Sequence, residues 1–223
     1  MSADPTGRNL RLGIDTSTDV RVGLADDSGV LASRAVTDPR AHAEQLMPLV
    51  VATLAGAGRR LDDVGLIVVG VGPGPFTGLR VGVVTAQTLG LALGVPVRGV
   101  CSLDAVAAGH AAADDDGDDA FLAVSDARRR EVYWARYAAD GRRLEGPAVS
   151  PASELPDLPV IGPGAHLAGG EASGLDGGVL AFTGPRLPEA GLSPLYLRRP
   201  DAEVPTTRKS TLLQPRLARL DRS

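Results

Sequence analysis

The sequence predicts an α/β protein whose sheet mixes antiparallel and parallel strands. Three observations carry this expectation. Residues 10–36 hold three short apolar or alternating runs separated by polar turns, the pattern of an antiparallel meander. From residue 41 onward, helix-spaced stretches alternate with the apolar runs "VGLIVVGVG" and "VPVRGV", which read as buried strands. The 223 residues, 43% hydrophobic and 22% charged, suffice for one large domain or two small lobes with real cores.

The elements are expected in this order. Strands Leu10–Thr16, Val20–Ala25 and Val30–Val36 are joined by the turns Ser17-Thr18-Asp19 and Asp27-Ser28-Gly29. A helix over 41–57 is stopped by Gly56 and Gly58, and a strand over 64–72 follows. Gly78–Leu93 is a second helix, ended by Gly94 and Pro96. After the strand at 95–100, Ser102 can cap a third helix, Leu103–Ala113. The acidic run at 114–119, "DDDGDD", reads as a solvated loop and as the boundary between two lobes. Beyond it come a hairpin of Ala120–Ser125 and Glu131–Tyr137, a short strand at 159–162 and a small helix near 165–168. Residues 169–191 are too rich in glycine and proline to assign, and the chain after Val204 reads as a loose polar tail.

Bulk properties narrow the function. A net charge of −4 and a pI near 5.4 argue against a broad nucleic-acid footprint, although local basic patches remain open. The single Cys101 excludes an internal disulfide framework and fits a reducing cytoplasm. No apolar run reaches about 18 residues, and "MSADPTGRN" lacks a signal-peptide core, so a cytoplasmic protein without a membrane span is expected.

The segment "VVGVGPGPFTGLRVGV" (68–83) is a glycine-rich turn between a strand and a helix. It lacks the lysine of a P-loop and the third glycine of a dinucleotide fingerprint. What remains is a generic anion site, with backbone N–H groups of Gly74, Phe76 and Thr77 at a helix start, or else a rigid corner fixed by Pro73 and Pro75. "GIDTSTDV" leaves a similar choice. Asp15 could be a metal-side ligand with Thr16, Ser17 and Thr18 supplying amides and hydroxyls, or Asp15 and Thr16 could cap a hairpin turn.

His42 begins the first helix, but the position four residues on is Leu46, so no helical metal pair forms. His110 and His166 have no companion ligands nearby, and no nucleophile elbow is present. Neither a metal site nor a catalytic residue is therefore assigned. Arg128 to Arg130 form an Arg cluster at a hairpin tip, which could contact RNA phosphate, meet acidic groups of a partner, or be a solvated turn. The helices themselves are unusual. Leu46, Met47, Leu49, Val50, Val51 and Leu54 spread over roughly 200° of the first helix, about twice what a surface helix needs. The second, with Val83 and Leu91 among its large residues, leaves little polar face. A partner interface through Leu46, Met47, Val50, Leu54, Val83 and Leu91 is expected.

The segments "LGIDTSTDVRVGLAD", "HAEQLMPLV", "GVGPGPFTGLRVGVVTAQTLGLALGVPVRGVCSLDAVA", "DARRREVYWARY" and "LSPLYLRRPDAE" run in order across about residues 10–203. Together they resemble the TsaB (YeaZ) family within the actin-like ATPase superfamily, with Pro75 where the family string usually has serine. The resemblance implies a two-lobed actin-like fold: a tail at 1–9, lobes at 10–113 and 120–203, the second reduced, and a tail at 204–223. It implies a non-catalytic partner of the TsaD enzyme, with the TsaE ATPase joining the complex and tRNA touched indirectly. That complex threonylcarbamoylates N6 of the adenosine beside the anticodon in tRNAs reading ANN codons. Pairing is expected through the first two helices, with TsaD or with a second copy of the chain. Nucleotide-type positions carry over to Asp15, Thr16, Ser17, Gly72, Gly74 and Thr77, with ATP or ADP expected at the partner interface if anywhere. The second-lobe string "IGPGAHL" has Pro163 where relatives tend to be acidic. A small-molecule kinase or ATPase of the same superfamily is the competing expectation.

Overall fold

Strand β1 (Leu10–Asp15) pairs antiparallel with β2 (Val20–Asp26), and β2 with β3 (Gly29–Val36), forming the predicted meander. Helix α1 (His42–Gly56) then crosses to β4 (Val64–Gly70), which lies parallel to β1. Helix α2 (Phe76–Leu93) leads to β5 (Val97–Val100), parallel to β4, so the first sheet has the order β3-β2-β1-β4-β5. This computed structural model describes residues 8–37, 42–113, 119–170 and 172–198. The acidic run at 114–118 and the tail beyond Val204 lie outside the described residues.

Alternation along the strands divides the sheet between two helical layers. Leu10, Leu12, Ile14, Ile67, Val69 and Val71 face α1 and α2, meeting Leu46, Val50, Leu54, Val83, Ala86 and Leu89. Val68 and Val100 face the other way, toward α3 (Ser102–Ala113). That second face also receives α4 (Gly177–Thr183), in the stretch whose composition defeats assignment from sequence. Asp176 caps α4 by accepting from the backbone N–H of Gly178 and Val179 at 2.7 and 2.9 Å. Glycines let its backbone lie directly on the sheet: a Cβ at Gly23 would fall 2.0 Å from the nitrogen of Gly178. The chain's second half therefore returns to cover the first sheet.

The second sheet, β8-β7-β6-β9, contains the predicted hairpin as β6 (Phe121–Asp126) and β7 (Glu131–Tyr137). It adds β8 (Arg143–Pro151), for which the sequence predicts no element, and the two-residue β9 (Val160–Ile161). At the β6–β7 tip, Arg128, Arg129 and Arg130 take φ values of 65°, 54° and 65°. Left-handed backbone costs an L-residue about 1–2 kcal/mol each.

Helix α2 is, by length and composition, apolar enough to cross a membrane, although the polar residues Thr77, Arg80, Thr85, Gln87 and Thr88 interrupt its apolar run. Its buried residues Gly78, Leu79, Gly82, Val83, Ala86, Leu89 and Gly90 pack as those of a core helix do.

Candidate functional site

β1 and β4 run parallel, and their C-terminal ends open at one edge of the sheet, where α/β folds place ligands. Asp15 ends β1 there and is fully buried. One carboxylate oxygen accepts from the Ser17 backbone N–H at 2.8 Å and the Ser17 hydroxyl at 2.6 Å; the other accepts from the Ser102 hydroxyl at 2.5 Å. Ser102 Oγ accepts in turn from the Gly72 N–H at 3.0 Å, and the Ser102 N–H donates to the Gly72 carbonyl at 2.8 Å. Ser102 is thus the first residue of α3, yet its hydroxyl binds Asp15 instead of capping the helix. Burial pushes the Asp15 carboxyl above the usual carboxylate range, opposed by the Ser102 and Ser17 hydrogen bonds and the Arg21 charge.

The glycines of the turn provide close approach. A Cβ at Gly70 would lie 1.7 Å from Asp15 Oδ2. At Gly74 it would meet the Ser17 carbonyl at 2.6 Å, and at Gly82 the Thr16 hydroxyl at 2.2 Å. Thr16 donates to the Gly78 carbonyl at 2.7 Å, clamping the start of α2 to the β1–β2 turn. Asp15, Thr16, Ser17, Gly72 and Gly74 therefore come together as the sequence places them, while Thr77 stands exposed in the first turn of α2. The cleft beside them is lined by Ser17, Thr18, Ser102, Leu103, Val106, Ser125, Pro163 and Leu175, and it leaves no room for a water molecule. Asp15 already holds three donors, and loop backbone occupies the space beside Ser17.

Arg80, the last residue of "GPGPFTGLR", lies outside this cluster. Its guanidinium sits 3.7 Å over the Phe76 ring, and its Nε–H donates to the Tyr196 hydroxyl at 3.0 Å. The C-terminal segment is pinned to α2 by that contact. On the opposite face of the sheet, Asp104 is buried with its Oδ1 accepting from the Tyr137 hydroxyl at 2.8 Å and facing Arg143 at 3.3 Å. Its other oxygen has no hydrogen-bond partner, and burial raises its pKa. Burial likewise pushes the nearby Cys101 thiol up to about 12, which leaves it inert at neutral pH. Among the described residues, no cluster of three His, Cys, Asp or Glu side chains is placed to hold a metal.

The expected interface needs correction in part. Leu46, Val50, Leu54 and Val83 lie in this chain's own core, 0–4% exposed. Their wide apolar arc is two faces, one buried and one open. The open face carries Met47 and Leu91, together with Val51 and Val84, at 36, 87, 58 and 57% exposure. Helices α1 and α2 are neighbours, so the four residues belong to one side of the molecule.

The family model described as "TsaD: tRNA N6-adenosine threonylcarbamoyltransferase" matches residues 29–174. The chain belongs to this family, on its TsaB (YeaZ) branch. The "tRNA threonylcarbamoyladenosine biosynthesis protein TsaB" of Escherichia coli is 40% identical over 130 residues, 58% of this chain and 55% of that protein. A Mycobacterium tuberculosis protein is 47% identical over 204 residues, covering 86% of this chain and 93% of that one. The solved structure "YeaZ from Pseudomonas aeruginosa" superposes with a TM-score of 0.69 at 29% identity, over 85% of this chain and all of that one. The two helix-flanked mixed sheets are accordingly those of an actin-like TsaB-type fold.

Proposed function

We propose that this chain is a scaffold and activating subunit in tRNA threonylcarbamoyladenosine biosynthesis. It binds the TsaD enzyme, with TsaE joining, for N6-threonylcarbamoylation of the adenosine beside the anticodon in tRNAs reading ANN codons. The observation that carries this reading is the open apolar face of α1 and α2, in a chain of the TsaB branch. Apolar side chains as exposed as Val51 and Leu91 favour burial against a partner. The partner is TsaD in the working complex and a second copy of the chain when TsaD is absent. A non-catalytic role agrees with the Asp15 site, whose carboxylate is spent on Ser17 and Ser102. ATP or ADP, where the cytoplasmic complex needs it, is held at the interface with the partner.

The test is co-purification of the full chain with TsaD, followed by reconstitution of tRNA modification. Met47→Glu with Val51→Glu is expected to leave the fold intact and abolish co-purification, because both side chains face solvent. Binding that survives both changes refutes the interface. A full modification rate without this chain refutes the function.

A further inference from the structure

Three adjacent arginines occupy positions where turn physics asks for glycine or asparagine. Arg128, Arg129 and Arg130 are all left-handed, and all three are exposed. The conformation is held from several sides. Ala127 N–H donates to the Glu131 carbonyl at 3.0 Å, and Glu131 N–H to the Arg128 carbonyl at 3.0 Å. Arg128 N–H donates to Asp126 Oδ1 at 2.6 Å, and Ala152 N–H to the Arg130 carbonyl at 3.4 Å. Arg198 closes the base of the tip, donating to the Ala127 carbonyl at 2.8 Å and pairing with Glu131. Backbone strain held this firmly marks a position kept for its side chains.

The local charge is positive on an acidic chain. Arg128, Arg129, Arg130 and Arg198 outnumber Asp126 and Glu131, and Arg128 pairs with Asp126 at 3.2 Å. A left-handed run turns about 100° per residue, mirroring the α-helix. The three side chains stand exposed on consecutive residues of the tip. Planar guanidinium groups clustered on an exposed turn suit phosphate oxygens, which accept two N–H groups side by side. Ser125, three residues before Arg128 on β6, lines the cleft beside Ser17 and Ser102.

We infer that the Arg128–Arg130 tip is a contact for an RNA phosphate backbone, through which this subunit touches the tRNA directly. The inference rests on the tRNA-modification reading for the identity of the polyanion. Its test uses the full chain, alone and with TsaD, and measures affinity for a tRNA transcript across salt concentrations. The informative variant is Arg129→Gly with Arg130→Gly, since glycine relieves the left-handed backbone while removing two cations. Its melting temperature is expected to stay level or rise, and its tRNA affinity to fall about tenfold at low salt. The slope of log affinity against log salt is expected to shrink by about 0.7–0.9 for each phosphate that the variant no longer neutralises. Unchanged affinity and slope overturn the inference, as does a wild-type complex with no tRNA affinity. Loss of assembly with TsaD at unchanged tRNA affinity overturns it in favour of an acidic protein surface. Failure of the function reading is separate: there, adding the wild-type chain leaves the modification rate unchanged.

Discussion

Asp15 is seated at the end of β1 by residues from two distant parts of the chain. Its carboxylate fills the space that Gly70 leaves open and takes its donors from Ser17 and Ser102. Gly70→Ala is expected to lower stability by about 3 kcal/mol, because the added methyl enters a buried carboxylate backed by two strands. Ser102→Ala is expected to cost about 1–3 kcal/mol, since it strips a donor from that carboxylate. Urea denaturation measures both, and a Gly70→Ala midpoint equal to wild type would remove the seat. Sequence reading names Asp15 and its turn from local spacing, but it misses Ser102. That residue lies 87 positions away, and only the fold brings it there. Asp104 permits a test with pH. Its folded-state pKa is raised by burial, so the folded chain keeps a proton there that the unfolded chain has released. Stability due to this group is therefore greatest below the usual carboxylate pKa and is lost as pH rises through the raised value. Asp104→Asn is expected to flatten the fall in urea midpoint between acidic and neutral pH. Equal slopes in the two proteins would exclude a titrating Asp104.

At the scale of elements, α1 divides its apolar residues between two tasks. Leu46 and Val50 sit on the sheet, whereas Met47 and Val51 face outward one position along. Leu46→Ala is expected to destabilise the monomer by about 2–5 kcal/mol through cavity formation. Val51→Ser should stay within about 0.5 kcal/mol of wild type and weaken only association. Thermal melts of the chain, beside its sedimentation behaviour, separate the two, and a large stability loss in Val51→Ser would contradict the open face. Helical periodicity makes the helices legible, but it cannot say which part of a wide arc the sheet covers. β8 and α4 fail to show for a different reason. In β8, Gly146 and Pro147 interrupt the alternation and the register shifts against β7. In α4, Gly177 and Gly178 look like breakers, and they are small because a Cβ at Gly177 would strike the β2 backbone at Val22 and one at Gly178 the Val30 side chain of β3. The Asp176 cap is the signal that could have revealed it.

The whole molecule is tied together by its C-terminal stretch, residues 184–197. Arg98 donates to the carbonyls of Gly184 and Leu187 at 3.2 and 2.7 Å and pairs with Glu189 at 2.9 Å. Ala190 N–H then donates to Gly99, and Leu195 N–H to Val71. This strap holds the β5 edge, and α4 just before it holds the first sheet's second face. Leu175 and Pro163 meanwhile close the cleft over Ser17 and Ser102. We expect the lone chain to hold this packing, with Asp15 kept on its three donors. Calorimetry with ATP and magnesium on the isolated chain is therefore expected to give no saturable heat. If the nucleotide belongs instead at the interface with TsaD, adding TsaD to the same titration should restore binding, and Met47→Glu with Val51→Glu should remove it again. Saturable binding with turnover by the isolated chain would contradict the packed site and favour a kinase or ATPase of the same fold.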